Sequence, residues 1–104
     1  MPPAAQTKEE RVYATIRTYS EAEGLADALV DRADGVRRII SEIEGFKAYY
    51  LIRTDAGAVS VSVYDTEAGA EESATAAAAF VRENVPAFAG SPPHVAAGEV
   101  VVNA

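Results

Sequence analysis

Cysteine is absent from the 104 residues, and with it go disulfides, thiolate catalysis and cysteine-held metal. Tryptophan is absent as well, and histidine occurs once, as His94. Positive charge is scarce: nine Lys and Arg stand against sixteen Asp and Glu, a net charge of −7. From Arg53 onward two basic residues (Arg53, Arg82) face seven acidic ones. That balance repels phosphate backbones and anionic bilayers, so neither nucleic acid nor membrane is expected as a partner. No run approaches the ~20 apolar residues of a membrane span, and residues 1–10 lack the apolar core of a secretory signal, so cytoplasmic residence is expected. Neither Ala56-Gly57 nor Gly69 fits a phosphate-binding glycine loop.

What is present is the composition of an ordinary globular chain, 49% hydrophobic and 8% aromatic, with room for one modest core. A single domain over 11–104 is expected behind a loose, flexible tail at 1–10. The chain is organised around Gly45–Tyr64, where two runs rich in aromatic and β-branched residues flank Asp55-Ala56-Gly57. That is a hairpin signal. Before it, Arg11–Thr18 alternates Val12, Ala14 and Ile16 with Tyr13, Thr15 and Arg17, as a strand with two unlike faces does.

Ser20-Glu21-Ala22-Glu23 fits a capping box. Leu25, Leu29, Val36, Ile40 and Ile43 then fall on one helical stripe, with a kink or a split into two pieces expected at Gly35 and a left-handed stop at Gly45. After the hairpin, Asp65 or Thr66 caps a second helix whose opening turns carry Glu67, Glu71 and Glu72, matching the helix dipole. Its inward side is thin, with Ala70, Ala74 and Ala77, which lets it lie close to a sheet. Pro86 ends it, Gly90–Pro93 is a loop, and Val95–Val102 reads as a last strand.

The order β-α-β-β-α-β predicts an α+β, ferredoxin-like fold: a four-stranded antiparallel sheet with two helices on one face. Val12, Ala14, Ile16, Phe46, Ala48, Ile52, Val59, Val61 and Val63 form an apolar set expected under the helices. Tyr13, Thr15, Arg17, Tyr49, Leu51, Arg53, Ser60, Ser62 and Tyr64 make the other face, which no element covers. Tyrosines combine apolar area with a hydroxyl that wants a partner, which suits an interface. A homodimer is therefore expected, joined through Tyr13, Tyr49, Leu51 and Tyr64.

Val12–Arg17, Gly45–Tyr50, the Val59-Ser60-Val61-Ser62-Val63 strand running into an acidic helix, and Gly98–Val102 together resemble the dimeric α/β barrel superfamily. The likeness is greatest to small antibiotic-biosynthesis-monooxygenase-type domains. It implies a homodimeric barrel with any ligand pocket between each sheet and its helices. The haem-degrading members use an Asn on the first strand, a Trp on the third and a His on the second helix. None of these is present here, and no cofactor is expected. The cofactor-free members oxidise substrates that activate oxygen themselves, and need only pocket shape and a few polar groups.

For individual residues, alternation puts Tyr50 on the side of Phe46, Ala48 and Ile52, beneath the helices. It is either a core tyrosine with its hydroxyl at the rim or a ligand contact. His94 follows Pro92-Pro93 with no nearby carboxylate in sequence to orient it. It is either a plain loop residue or an acid–base group closing one end of the pocket. No metal site is expected. Two functional classes stay open: a non-catalytic or small-molecule-binding accessory domain, which is favoured, and a cofactor-independent monooxygenase or isomerase acting on an aromatic or polyketide-like compound.

Overall fold

The expected element order is the observed one, with the first helical stretch in two pieces. The computed structural model describes residues 11–90 and 92–102; the tail expected at 1–10 lies outside the described residues. The elements are β1 (Tyr13–Tyr19), α1 (Leu25–Val30), α2 (Ala33–Ser41), β2 (Phe46–Thr54), β3 (Gly57–Tyr64), α3 (Glu67–Asn84), a 3₁₀ turn (Pro86–Phe88) and β4 (His94–Glu99). The sheet order is β2-β3-β1-β4, with every neighbouring pair antiparallel.

Local signals are obeyed where only the chain's own backbone is involved. Thr66 caps α3, its hydroxyl accepting from the Gly69 N–H at 3.0 Å. Gly45 turns the chain after α2 with φ 89°, the left-handed conformation expected of it. Two expectations fail because tertiary contacts intervene. The Ser20–Glu23 segment does not cap α1; Gly24 precedes the helix at φ 91°. Instead the Ala22 N–H donates to the Ala56 carbonyl at 2.9 Å, so the segment is latched to the hairpin turn. Gly35 lies inside α2, and the break falls earlier, at Asp31-Arg32. A Cβ on Gly35 would stand 3.1 Å from the Phe80 ring of α3, so this glycine allows helix approach without making a kink.

The core lies between the helices and one sheet face. Leu25 (0% exposed) and Ile40 (1%) are its best buried aliphatic side chains; full burial of such a side chain contributes ~1.5–3 kcal/mol. Opposite them is the sheet face expected to be open. Thr15, Arg17, Ser60, Ser62 and Tyr64 are all buried, and Tyr13, Tyr49 and Leu51 pack against the same core. The apolar set is the uncovered one: Ile16, Tyr50 and Ile52 are 40%, 60% and 46% exposed. The two faces are therefore interchanged relative to the sequence reading, except at Phe46, which a bulge before Ala48 turns toward the core against Tyr64. The protomer does not present Tyr49, Leu51 and Tyr64 at an open seam; it buries them under its own helices.

The reason is that the polar face finds its partners in helix backbone. The Thr15 hydroxyl donates to the Ala70 carbonyl at 2.7 Å, and Ser73 donates to the same oxygen at 2.6 Å. Arg17 Nη1 donates to the Ala74 carbonyl at 2.9 Å. The Tyr64 hydroxyl donates to the Ile40 carbonyl at 2.6 Å. A helix carbonyl keeps a second lone pair after its own helical bond. Small residues on α3 bring that backbone within reach of the strand side chains.

Candidate ligand site

The Arg17–Tyr19 end of β1 borders a small space left between sheet and helices. A cavity of about 20 Å³ lies there, room for about one water molecule. Leu29, Val36, Ile39 and Ile40 roof it, Phe80 and Val81 of α3 close one side, and Arg17, Tyr19, Tyr49, Leu51 and Ser60 form the sheet side. A wider cleft of about 300 Å³ opens beside it and shares Leu29, Val36, Tyr49 and Leu51. The pair makes a narrow, apolar inner end with a broader mouth.

The chemistry of the lining is restrained. Among the described residues it contains no histidine, carboxylate, lysine or cysteine. Burial pushes the Tyr49 phenol up to about 12, Tyr19 adding to the rise and the Arg17 charge opposing it. Tyr64, deeper in the same layer, is also raised to about 12, by burial first and then by Glu72 and Tyr49. Both phenols are neutral at pH 7, able to donate a hydrogen bond and poor as bases. Arg17 is the exceptional group: 3% exposed, bonded to the Ala74 carbonyl and the Tyr19 hydroxyl, and stacked near the Tyr19 ring, 5.4 Å from its centroid. Its Nε has no hydrogen-bond partner among the described residues. A buried cation surrounded only by neutral dipoles is costly without an anion.

The two residues singled out from sequence are not brought together here. Tyr50 stands on the open face, paired across the strands with Val61, and does not line the cavity. His94 is not in a loop; it begins β4, opposite Thr18, and is exposed. The cavity is served by the neighbours in register, Tyr49 and Leu51, and by Arg17 and Tyr19, which the sequence reading missed. A usable signal was there: Thr15-Arg17-Tyr19 and Ser60-Ser62-Tyr64 are polar sets facing a helix of alanines, and small residues expose carbonyls. Among the described residues, no three metal-ligating side chains cluster, and no helix is long and apolar enough to cross a membrane.

No family model matches the sequence, and no curated protein does. Solved structures match over nearly the whole chain. A monooxygenase from the ActVA-Orf6 gene of Streptomyces coelicolor, in complex with the ligand nanaomycin D, superposes with TM-score 0.63 at 19% identity, covering 97% of this chain and 96% of its own. A protein from Nitrosomonas europaea, provisionally assigned as an antibiotic biosynthesis monooxygenase, gives TM-score 0.67 at 15% identity, covering 86% and 90%. A second Nitrosomonas europaea protein, of unknown function, gives 0.65 at 19%, covering 92% and 94%. The chain thus shares the ferredoxin-like fold of these antibiotic-biosynthesis-monooxygenase structures. Proteins of this fold include both monooxygenases and proteins of unknown function.

Proposed function

We propose that this chain is a homodimeric small-molecule-binding domain that holds a small apolar or aromatic ligand between the sheet and helices of each subunit. One observation carries the non-catalytic reading: among the described residues the cavity lining has apolar walls and hydrogen-bond donors, but no histidine or carboxylate to serve as a general base. The ligand enters through the 300 Å³ cleft and displaces the side chains that now close the inner end. Tyr49 donates its phenolic hydrogen to the ligand, and Leu51 and Phe80 hold its ring.

The second copy covers the open sheet face. Tyr50, Val61, Ile16 and Ala96 lie in one row across all four strands, and Ala48, Val63, Ala14 and Gly98 in the next. An apolar face of this extent on a protomer marks an interface. A stable seam of this kind buries above ~1,000 Å² in total. The seam replaces the one expected from Tyr13, Tyr49, Leu51 and Tyr64.

A thermal-shift and calorimetric screen of phenols and quinones tests the site. Binding lost in Ala77→Phe, which fills the cavity, and retained in Tyr50→Phe and His94→Ala supports it. Loss in either of the last two with retention in Ala77→Phe moves the ligand to the open face or the β4 edge. Oxygen uptake with a bound phenol would replace the binding reading with a cofactor-independent monooxygenase. An interface also reports separately, as a sedimentation coefficient.

A further inference from the structure

Arg17 and Tyr19 also wall a second cavity, whose described lining includes no residue of α1 or α2. It measures about 130 Å³ and lies where the C-terminal half of α3 meets the 3₁₀ turn and the segment leading into β4. Its apolar sides are Val81, Phe88, Pro92 and Pro93. Among the described residues, its only charged lining residues are Arg17 and Arg82. In a chain of net charge −7, a pocket edged by two arginines and no carboxylate is a local exception. Among the described residues Arg82 has no ion-pair partner within 4 Å.

The geometry points to a binding site for a small aromatic carboxylate in this second cavity, its charge held by Arg17 and Arg82 and its ring against Phe88 and the two prolines. The space suits one ring: a cavity of about 150 Å³ takes a benzene. The guanidinium fork matches a carboxylate in two parallel bonds. Arg17 is already fixed by the Ala74 carbonyl and Tyr19, so little of its side-chain freedom remains to be lost on binding. A guanidinium has five N–H donors, and Arg17 has a buried Nε without a partner. An arriving carboxylate supplies the anion this buried cation lacks. The apolar walls select an organic anion over a free phosphate, whose oxygens would meet proline and phenylalanine on most sides. This site is distinct from the one proposed for the inner cavity, and Arg17, Tyr19 and Val81 line both.

Titration calorimetry with benzoate, its neutral isostere benzamide and inorganic phosphate tests the assignment on the full chain. Benzoate is expected to bind, benzamide about tenfold or more weakly, and phosphate not to compete. Arg82→Gln, an exposed position, should keep the melting temperature and lose about tenfold in benzoate affinity. Benzoate binding should persist in Ala77→Phe, so that failure of the inner site and failure of this one are told apart. Equal binding of benzamide, unchanged affinity in Arg82→Gln, or no benzoate binding at millimolar concentration overturns the proposal. Displacement of benzoate by phosphate overturns the aromatic-carboxylate class and leaves a bare anion patch.

Discussion

The Thr15 hydroxyl on β1 donates to the Ala70 carbonyl on α3 at 2.7 Å, and this bond identifies the sheet face that the helices cover. Thr15→Val keeps the side-chain shape and removes the donor. The expected loss is roughly 0.5–1.5 kcal/mol, softened because Ser73 still donates to the same oxygen. Urea denaturation measures it. An unchanged midpoint would mean that the bond contributes nothing net.

Leu51 and Ile16 separate the core from the open sheet face proposed as the seam. Leu51→Lys puts a charge beneath the helices and should cost roughly 2–5 kcal/mol of folding stability, seen as a lower melting temperature. Ile16→Asp places a charge on the open face, where Ile16 is 40% exposed. It should leave a folded protomer and shift sedimentation from dimer to monomer. Unfolding in Ile16→Asp together with tolerance of Leu51→Lys would mean the faces are assigned backwards.

High pH should unfold the protein in a defined window. Tyr49 and Tyr64 are raised to about 12, from 10.0 in the unfolded chain. Above pH 10 the unfolded state loses these protons while the folded state keeps them, so stability falls with rising pH. The contribution is fully present below pH 10 and is lost as pH climbs to about 12. Each tyrosine accounts for up to roughly 2–3 kcal/mol. Phenolate absorbance followed beside circular dichroism should show these two groups ionising only as the chain unfolds.

Gly57, at the start of β3, cannot carry a side chain. A Cβ there would stand 2.7 Å from the Tyr19 carbonyl oxygen and 3.0 Å from that of Ala22, both backbone atoms. Gly57→Ala should therefore push the hairpin turn away from β1 and the Ser20–Gly24 latch. A loss of roughly 1–3 kcal/mol is expected, read as a lower denaturation midpoint. Substitution at Gly90, where a Cβ meets nothing within 4 Å, is the control.

Most of the fold was legible because it rests on short-range chemistry. Alternation in 11–18 and 46–64 marks strands, the Leu25–Ile43 stripe marks a helical face, and Thr66 and Gly45 act through their own neighbours. These features determined the β-α-β-β-α-β order, and with it the sheet. The same alternation sorted the side chains into two sets, failing only at Phe46, where a bulge before Ala48 breaks the period; yet it is symmetric: it says which residues share a face and not which face the helices take. Hydrophobicity alone would send Ile16, Val61 and Ile52 inward, together with Tyr50. Tertiary structure decided otherwise, because the alanines of α3 bring its carbonyls within bonding distance of Thr15 and Arg17, and Ile40 offers its own to Tyr64. That satisfied polar layer can be buried, which leaves the apolar set outermost in the protomer. It also placed Tyr49 in the cavity and Tyr50 outside it, and set Arg17 and Arg82, distant in sequence, at the edge of one pocket.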